Sequence, residues 1–392
     1  GSEMCIRDRY GNSPALLFKP GFKYISWSYK TLSRDSEKAA GYFQSLGLEK
    51  GDRVLMWGPN SPLWVITFFA CARAGIILVP LDIKSPPEFV ENVKSQTNPK
   101  FAFVSKATPS ECESIGVPLI YMEDLPSLYN QFRSYEKIDV SEDDLIEVMF
   151  TSGTTGDPKG VMLTHKNLIS NLDSVSKVIT GKKSDRLLSI LPLSHMFEQM
   201  GGMLFPLKIG ANVTYVTSRR PKAIFKTMQD RKVTVMLLVP QALDLFKKGI
   251  EREIERQGKA KIFRKLMGLS NHVPKFVRKL IFRSLRKQMG GSIRLIFAGG
   301  APLQEPVGKW LEALGIDVIQ GYGATEASPV IACHPESNPR YDSPGPPIPG
   351  VKIKIADDGE VLVSGDNITP GYLSLIHISE PTRPRLISYA VF

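Results

Sequence analysis

The amino-acid sequence predicts an α/β protein with two doubly wound lobes, mostly parallel sheets and a small appended β unit. Short runs of β-branched and apolar residues alternate with helical patterns, which is typical of parallel sheets covered by helices on both faces. The alternation occurs in two separate series, and this indicates two lobes. After Tyr341 the pattern changes to short alternating strands and turns rich in Pro and Gly, which indicates a further β unit.

The individual elements follow from these patterns. The first series has predicted strands at 52–57, 76–81 and 101–105, with helices at 63–74 and 87–96. The second series has predicted strands at 187–191, 212–216, 233–239, 293–298 and 316–320, and helices that include 222–230 and 306–314. In the β unit, strands at 351–355 and 360–363 flank Asp357-Asp358-Gly359, which favours a hairpin turn. We therefore expect a first lobe at 10–185, a second at 186–340, and the start of the β unit at 341–373.

The two ends of the chain do not fit this organisation. Residues 3–9 (EMCIRDR) and 374–384 (SLIHISEPTRP) resemble translated sequencing adapter, and the second run follows Leu373 without a clear hydrophobic period. We therefore expect residues 1–9 and 374–392 to be foreign to the fold, and the protein itself to continue beyond Leu373.

The composition is that of an ordinary globular protein. Hydrophobic residues make up 42% and charged residues 23% of the 392 residues. No apolar run reaches the roughly 18 residues that suggest a membrane-spanning helix. Four cysteines (Cys5, Cys71, Cys112 and Cys333) form no CxxC pair, which is typical of a reducing compartment. The expected localisation is cytoplasmic, with peripheral contact at the inner face of the membrane as a further expectation.

The strongest functional signal is the string at 150–160, FTSGTTGDPKG. Its glycines let backbone N–H groups point inward, its hydroxyls add donors, and Lys159 adds a positive charge, a combination suited to a polyphosphate. The predicted phosphate-binding residues are Thr151, Ser152, Gly153, Thr154, Thr155, Gly156 and Lys159. The spacing differs from that of a Walker A loop, because Gly160 and a strand-like run follow Lys159, so the loop is expected to join two strands. The alternative is a solvated Gly/Ser/Thr loop without a ligand.

Three more motifs directly follow predicted strands of the second lobe, at the position where open α/β sheets bind ligands. They are 191–198 (LPLSHMFE), 299–302 (GGAP) and 321–326 (GYGATE). Tyr322 can stack on a base, Thr325 can donate to a phosphate oxygen, and Glu326 can bind a hard cation such as Mg²⁺. The alternatives are a tight strand-to-helix turn at 299–302, a Gly-rich turn with a capping Thr at 321–326, and a structural histidine at position 195.

With these motifs the chain resembles the AMP-binding superfamily, which includes acyl-CoA synthetases, firefly-type luciferases and the adenylation domains of peptide synthetases. The resemblance extends from about Tyr24 to Leu373 and includes Gly51-Asp52-Arg53-Val54, Pro59-Asn60-Ser61 and Ala74-Gly75. The segment HMFEQMGG is similar to that of bacterial long-chain fatty acid–CoA ligases.

The resemblance implies an enzyme that activates a fatty acid with ATP and Mg²⁺ to an acyl adenylate and then forms a thioester with coenzyme A. It implies catalytic roles for Lys159, His195, Thr325 and Glu326, with Glu326 as the metal ligand. It places nucleotide contacts at Gly299, Gly300, Ala301, Pro302, Gly321, Tyr322, Gly323, Ala324 and Thr325, and acid contacts at His195, Met196 and Phe197, the last two walling an apolar tunnel. The alternatives are an acyl–acyl carrier protein synthetase, a fatty acyl-AMP ligase, and a non-catalytic nucleotide- or acyl-binding member.

The resemblance also implies parts that this sequence does not show. These are a ribose-binding Asp in a downstream TGD motif, a hinge, and a mobile C-terminal domain with a catalytic Lys. Asp366 belongs to a different motif and is interpreted as a turn residue. We therefore expect this chain to bind ATP weakly and not to form the adenylate at a useful rate by itself.

The positive charge is concentrated in residues 246–287. This segment contains fourteen Lys and Arg and three Glu, so its net charge of +11 equals that of the whole chain. Its apolar residues recur at helical spacing, and long-chain ligases resemble this chain in carrying such an insertion. Basic amphipathic helices can lie on an anionic membrane, attract the phosphates of coenzyme A or an acidic carrier protein, or form a solvated hairpin packed on the lobe. Nucleic-acid binding is not expected, because no recognised module accompanies the segment.

Overall fold

The computed structural model describes residues 9–109, 112–113, 115–133, 135–151, 158–270, 272–373 and 387–389. The strands are β1 (Pro14–Phe18), β2 (Ile25–Ser28), β3 (Arg53–Trp57), β4 (Ile77–Leu81), β5 (Phe101–Val104), β6 (Leu119–Tyr121), β7 (Leu145–Thr151), β8 (Lys159–Thr164), β9 (Arg186–Ser189), β10 (Asn212–Tyr215), β11 (Val235–Leu238), β12 (Leu295–Ala298), β13 (Asp317–Gly323), β14 (Val330–Cys333), β15 (Lys352–Ile355), β16 (Val361–Ser364) and β17 (Ile387–Tyr389).

Helices separate most of these strands. They are α1 (Tyr29–Ser45), α2 (Pro62–Ala74), α3 (Pro87–Thr97), α4 (Leu125–Tyr129), α5 (His165–Val178), α6 (Met196–Glu198), α7 (Phe205–Lys208), α8 (Pro221–Arg231), α9 (Pro240–Arg256), α10 (Ala260–Ser270), α11 (Lys275–Ile281), α12 (Arg283–Gln288) and α13 (Glu305–Ala313), with 3-10 turns at Met122–Asp124 and Thr325–Ala327 and a π-helical stretch at Gln199–Leu204. None of the helices in these described ranges is both long enough and apolar enough to cross a bilayer.

The strands form three sheets. The largest has eight strands in the order β14-β13-β12-β11-β9-β10-β1-β2, and a second has six in the order β6-β5-β3-β4-β7-β8. Pairing is parallel except at β2, β14 and β8, which confirms the predicted α/β class with mostly parallel sheets. The third sheet contains the predicted hairpin, β15 with β16.

Two pairings differ from the expected organisation. The strands β1 and β2 come from the segment expected to form the first lobe, yet β1 pairs in parallel with β10 of the eight-stranded sheet. The strand β17 lies in the segment expected to be foreign to the fold, yet it pairs with β16. Sequence periodicity identifies strands but carries no information about long-range pairing, so neither contact could be read from it.

Local signals explain where the helices begin and end. The hydroxyl of Ser61 accepts a hydrogen bond from the N–H of Trp64 at the start of α2, and Gly75 ends that helix with a φ of 64°. At α5, Thr164 and Asn167 form a reciprocal capping box. The boundaries therefore follow the helix signals already present in the sequence.

A buried polar group lies between the two larger sheets. Gln199 donates from its side-chain nitrogen to Oε2 of Glu147 on β7, at 3.0 Å. The neighbouring Glu198 is 1% exposed. Burial raises the pKa of Glu147 to about 7 and that of Glu198 to about 8. Both carboxyl groups are therefore in large part protonated near neutral pH, because burial disfavours the charged form.

These shifts make the stability of the fold dependent on pH. The unfolded chain loses these protons near the ordinary Glu pKa, whereas the folded chain keeps them, so the free energy of unfolding falls as pH rises from about 5 to about 8. We expect Glu198→Gln, which resembles the neutral acid, to match the original protein at pH 5 and to be more stable by roughly 1–3 kcal/mol at pH 8. Urea unfolding monitored by circular dichroism measures this difference.

A matched control is Glu253→Gln on α9. The ion partner Arg256 lowers the pKa of the half-buried Glu253 to about 2, so this carboxylate is ionised throughout the same pH window. Its substitution should leave the fall in the free energy of unfolding between pH 5 and pH 8 unchanged. If the free energy of unfolding of Glu198→Gln changed with pH in the same way as that of the original protein, Glu198 would not be protonated in the folded chain.

Candidate functional site

The predicted site residues of the second lobe meet at one edge of the eight-stranded sheet. The strands β9, β11, β12 and β13 are parallel neighbours, so their carboxyl ends lie side by side. Ala298 pairs with Gln320, and the 299–302 and 321–326 motifs therefore leave the sheet next to each other. The side-chain oxygen of Gln320 also accepts a hydrogen bond from the N–H of Leu303 at 2.7 Å, which holds the first motif against β13.

Two glycines at this edge allow neighbouring segments of the chain to pack closely against the backbone. A β-carbon at Gly299 would lie 3.1 Å from the ring of Phe197, so the turn packs directly on α6. A β-carbon at Gly323 would lie only 1.9 Å from the carbonyl oxygen of Pro329, which no side chain tolerates. The segment with His195 thus borders the 299–302 turn. His195 itself is exposed, and its carbonyl oxygen accepts hydrogen bonds from the N–H groups of the next turn.

The phosphate-loop prediction falls partly outside the described residues. Thr151 at the end of β7 lies opposite Lys159 at the start of β8 in an antiparallel pair, which confirms that the loop joins two strands. The predicted contacts Ser152, Gly153, Thr154, Thr155 and Gly156 lie in the undescribed range 152–157, and their role stays a prediction.

A segment at 366–373, here called the strap, connects this hairpin to the 321–326 motif. Its Leu373 N–H donates to the carbonyl oxygen of Gly160 at 2.8 Å, and its Thr369 N–H donates to the carbonyl oxygen of Glu326 at 2.8 Å. The side-chain nitrogen of Asn167 on α5 donates to the carbonyl oxygen of Ile368 at 2.9 Å. The strap therefore fixes the distance between the phosphate hairpin and the acidic residue.

Tyr372 of the strap contacts two predicted catalytic residues. Its hydroxyl donates to Oε1 of Glu326 at 2.7 Å, and Nζ of Lys159 lies 5.8 Å from the centre of its ring. Burial, followed by the neighbouring carboxylate, raises the pKa of Tyr372, so the phenol stays a hydrogen-bond donor. The ring thus lies between a cation and an anion and separates them.

The environment of Glu326 fits a magnesium ion that also binds phosphate. The residue is 9% exposed, lies at the sheet edge next to Thr325, and shares the contact with Tyr372 that Lys159 makes from the other side of the strap. Within the described ranges, no group of three or more His, Cys, Asp or Glu side chains could hold a metal by itself. A cation here would take the rest of its oxygen ligands from a substrate and from water, as Mg²⁺ commonly does.

Sequence reasoning missed several residues that hold the site together. Asn60, quoted only as part of a motif, donates to the carbonyl oxygen of Leu191 at 2.6 Å and accepts from the N–H of Leu193 at 2.8 Å. Asn171 on α5 donates to the carbonyl oxygen of Val330 at 2.7 Å. Buried amides of this kind form hydrogen bonds with backbone groups that are distant in sequence, so no local sequence pattern identifies them.

Comparison with known proteins agrees with this arrangement. A family model described as "AMP-binding enzyme" matches residues 6–373 of the chain. The chain belongs to this AMP-binding enzyme family. The family predicted from the motifs is thereby confirmed.

Several relatives and solved structures are similar to this member of the AMP-binding family. "Long chain acyl-CoA synthetase 4" of Arabidopsis thaliana is 26% identical over 93% of this chain and 64% of its own length. "Long-chain-fatty-acid--CoA ligase FadD15" of Mycobacterium bovis is 27% identical over 84% of this chain and 60% of its own. The N-terminal domain of FACL13 from Mycobacterium tuberculosis has the same fold, with a TM-score of 0.79 at 21% identity, and the match covers 95% of this chain and 90% of that one. The chain thus spans less than two thirds of the length of these two curated relatives.

The strap tyrosine gives a direct test of the site. We expect Tyr372→Phe to weaken the binding of MgATP about tenfold, because a hydrogen bond to a charged group contributes roughly 1.5–3 kcal/mol. AMP, which needs no metal, should be affected about twofold or less. Titration with a fluorescent nucleotide measures both affinities.

The matched control is Tyr341→Phe, since the hydroxyl of Tyr341 also faces a carboxylate, Glu312, but away from the strap. This control should bind both nucleotides like the original protein. Equal losses for MgATP and AMP in Tyr372→Phe would show a general packing defect and would exclude a specific role at Glu326.

Proposed function

We propose that this chain is the adenylation part of an enzyme that activates a long-chain carboxylic acid with ATP and transfers it to coenzyme A. A long-chain acid is proposed as the substrate because an apolar cavity of about 890 Å³ lies beside the candidate nucleotide site. The curated relatives are named as long-chain acyl-CoA synthetases and ligases, which supports the same class of acid.

The cavity lies between the eight-stranded sheet and the helices α8 to α12. Its lining reaches the carboxyl edge of the sheet through Ile190, just after β9, and Leu238, the last residue of β11. Val239 then lies near Gly300 of the adjacent turn. An acid can therefore place its carboxylate at the strand ends and its hydrocarbon chain in the cavity, where each buried methylene contributes about 0.8 kcal/mol.

The lining differs from the predicted tunnel. Met196 and Phe197 were expected to form the apolar wall, but the cavity is lined mainly by the basic insertion and by α8. In α9 the lining positions are 242, 245, 246, 249, 250, 253 and 254, the spacing of one helix face. The insertion thus turns its apolar face to the cavity and its charged face to solvent. A contact of Met196 and Phe197 with the acid stays a prediction.

The reaction proposed for the site is displacement at the α-phosphorus of ATP. The carboxylate attacks this phosphorus, and pyrophosphate leaves with the electrons of the broken bond. Lys159 and backbone N–H groups neutralise charge on the phosphates, while Thr325 donates to a phosphate oxygen and His195 orients the carboxylate. Magnesium, held in part by Glu326, would supply further neutralisation of the phosphate charge. A thiol then displaces AMP to give the thioester.

Two other functions share parts of this site. An acyl carrier protein in place of coenzyme A, or release of a fatty acyl adenylate, would use the same first step. A non-catalytic binding protein would need the cavity but no arrangement of Lys159, Tyr372 and Glu326. The contacts among those three side chains favour the enzyme.

Binding of ATP to the chain tests the proposal. We expect Lys159→Ala to weaken MgATP binding about tenfold or more, because charge-assisted contacts to phosphate are roughly twice as strong as neutral ones. The control is Lys166→Ala, a lysine nearby in sequence that pairs with Asp366 at 3.2 Å. Nucleotide titration that finds no difference between the two variants would contradict the phosphate site. Acid-dependent pyrophosphate release by a protein containing this chain separates the enzyme from a binding protein.

We also propose that the basic insertion contacts anionic membranes. Leu269, Phe276 and Leu280 are 52%, 67% and 64% exposed and lie among Lys and Arg side chains. Leu245, just before the insertion, and Ile262 within it are 70% and 64% exposed and line the rim of the cavity. A membrane-dissolved acid could therefore enter the cavity directly from the bilayer surface.

Vesicle binding tests this contact. We expect the double variant Phe276→Ala/Leu280→Ala to bind vesicles with one third phosphatidylserine about a hundredfold more weakly, because each of the two side chains contributes on the order of 1.5 kcal/mol when it is buried in the membrane. Vesicles of phosphatidylcholine alone should bind neither protein well. Ile169→Ala, which removes an exposed apolar side chain on α5, serves as control. If the double variant sediments with anionic vesicles like the original protein, the membrane surface lies elsewhere.

A further inference from the structure

Charged side chains are rare in the lining of the cavity. Within the described ranges, the charged residues of the lining are Arg219, Glu253 and Lys259. Glu253 accepts a hydrogen bond from Arg256, and Lys259 donates one to Gln257. These two lie near or just beyond the end of α9, whose 17 residues span about 25 Å at ~1.5 Å per residue. Neither can therefore contact a group held at the strand ends.

Topology places Arg219 at the carboxyl edge of the eight-stranded sheet. The strand β10 pairs in parallel with β9, and Tyr215, the last residue of β10, lies opposite Ser189. The segments that follow these two strands therefore leave the sheet at the same edge. Arg219 follows β10 in this way, and Ile190, which directly follows β9, lines the cavity together with it. The segment with His195 begins at the same place.

The charge of Arg219 also reaches a buried group at this edge. Burial raises the pKa of Glu198 to about 8, and the positive charge of Arg219 acts against this rise. The two side chains are thus close enough to interact, although Glu198 is buried and Arg219 is exposed. Because Glu198 is in large part protonated at pH 7, it does not neutralise the guanidinium. The cation at this end of the cavity is therefore available to an anion from solution.

The form and charge of the cavity indicate which anion fits. A long-chain acid has one negative group joined to an apolar chain, which matches apolar walls with a cation at the strand ends. A guanidinium presents its N–H donors in a planar fork that can bind both oxygens of a carboxylate. From this arrangement we infer that Arg219 binds the carboxylate of the acid and selects ionised acids over neutral molecules of the same chain length. The inference rests on the proposed acyl-binding role of the cavity and specifies one residue within it.

The test compares an acid with its neutral counterpart on the whole 392-residue chain. Equilibrium dialysis at pH 7 with radiolabelled dodecanoic acid and dodecan-1-ol, both below their aggregation limits, gives the two affinities. Arg219→Gln should weaken binding of the acid about tenfold and that of the alcohol about twofold or less, because hydrogen bonds to a charged group are lost while the apolar contacts remain. Arg219→Lys, which keeps the charge but not the fork, should lose less affinity for the acid than Arg219→Gln.

The matched control is Arg220→Gln. Arg220 is the next residue, carries the same charge and is also exposed, but it does not line the cavity. This variant should keep the affinities of the original protein for both ligands. A loss of acid binding in Arg220→Gln equal to that in Arg219→Gln would show a general effect of positive charge and would overturn the inference.

A second measurement reports the contact itself. The NMR shift of dodecanoic acid labelled with ¹³C at its carboxyl carbon changes as the carboxyl group titrates, so the pKa of the bound acid can be measured directly. A positive charge beside a carboxylate lowers its pKa. The bound acid should therefore have a pKa about one pH unit higher in Arg219→Gln than in the original protein or in Arg220→Gln. Equal values in all three proteins would contradict a contact between Arg219 and the carboxylate.

The outcomes separate this inference from the proposed function. If the original protein binds neither ligand, the acyl role of the cavity fails and the inference fails with it. If the original protein binds both ligands but Arg219→Gln keeps the same ratio of the two affinities, the cavity still holds a hydrocarbon chain and only the role of Arg219 fails. The same holds if the original protein binds the alcohol but not the acid.

Discussion

The parallel pairing of β9, β11, β12 and β13 is the constraint on which the rest of the site depends. Parallel neighbours end at the same edge, so motifs separated by more than a hundred residues in the chain emerge together. The centre of each strand is buried, which leaves the carboxyl end as the place where polar groups can collect. The helix that follows β11 then leads away from this edge and forms one wall of the cavity. The proposed nucleotide site and the proposed acyl cavity are therefore adjacent for a topological reason.

The hairpin of β7 and β8, which carries Lys159, belongs to the six-stranded sheet and is held in place by the strap. The strap pairs with β8 on one side and with the turn at Glu326 on the other, through backbone hydrogen bonds at 2.8 Å. These backbone hydrogen bonds fix the position of the strap whatever its side chains are. The Tyr372 hydroxyl in addition orients the carboxylate of Glu326. Asn167 and Asn171 of α5 hold the same region by donating side-chain hydrogen bonds to the carbonyl oxygens of Ile368 and Val330. The two sheets are thus joined where charge must be placed accurately.

The sequence predicted the parts of this architecture that depend on local patterns. The strand at 212–215 and the helix at 62–74 lie within a residue or two of their predicted bounds, because apolar runs and caps determine them locally. The pairing of β1 with β10, the π-helical stretch at 199–204 and the contact of Tyr372 with Glu326 were not predicted. The two contacts join residues that are distant in sequence and meet only after folding. The π-helical stretch differs from an α-helix in its backbone hydrogen bonding, which hydrophobic periodicity does not resolve. The residues at 152–157 carry the strongest signal of all, yet they lie outside the described ranges, so their contribution rests on the sequence alone.

The basic insertion shows the limit of periodicity most clearly. Apolar residues every three or four positions predict that one face of α9 turns inward, but they do not distinguish a face that packs against a core from one that borders a cavity. The burial of the helix resolves the difference. Leu243 near the start of α9 is buried against the core, whereas Phe246 and Ile250 further along the same face line the cavity and are only half-buried. A face packed against a core would be buried along its whole length, so the remaining apolar surface of α9 is what the proposed acyl chain would cover.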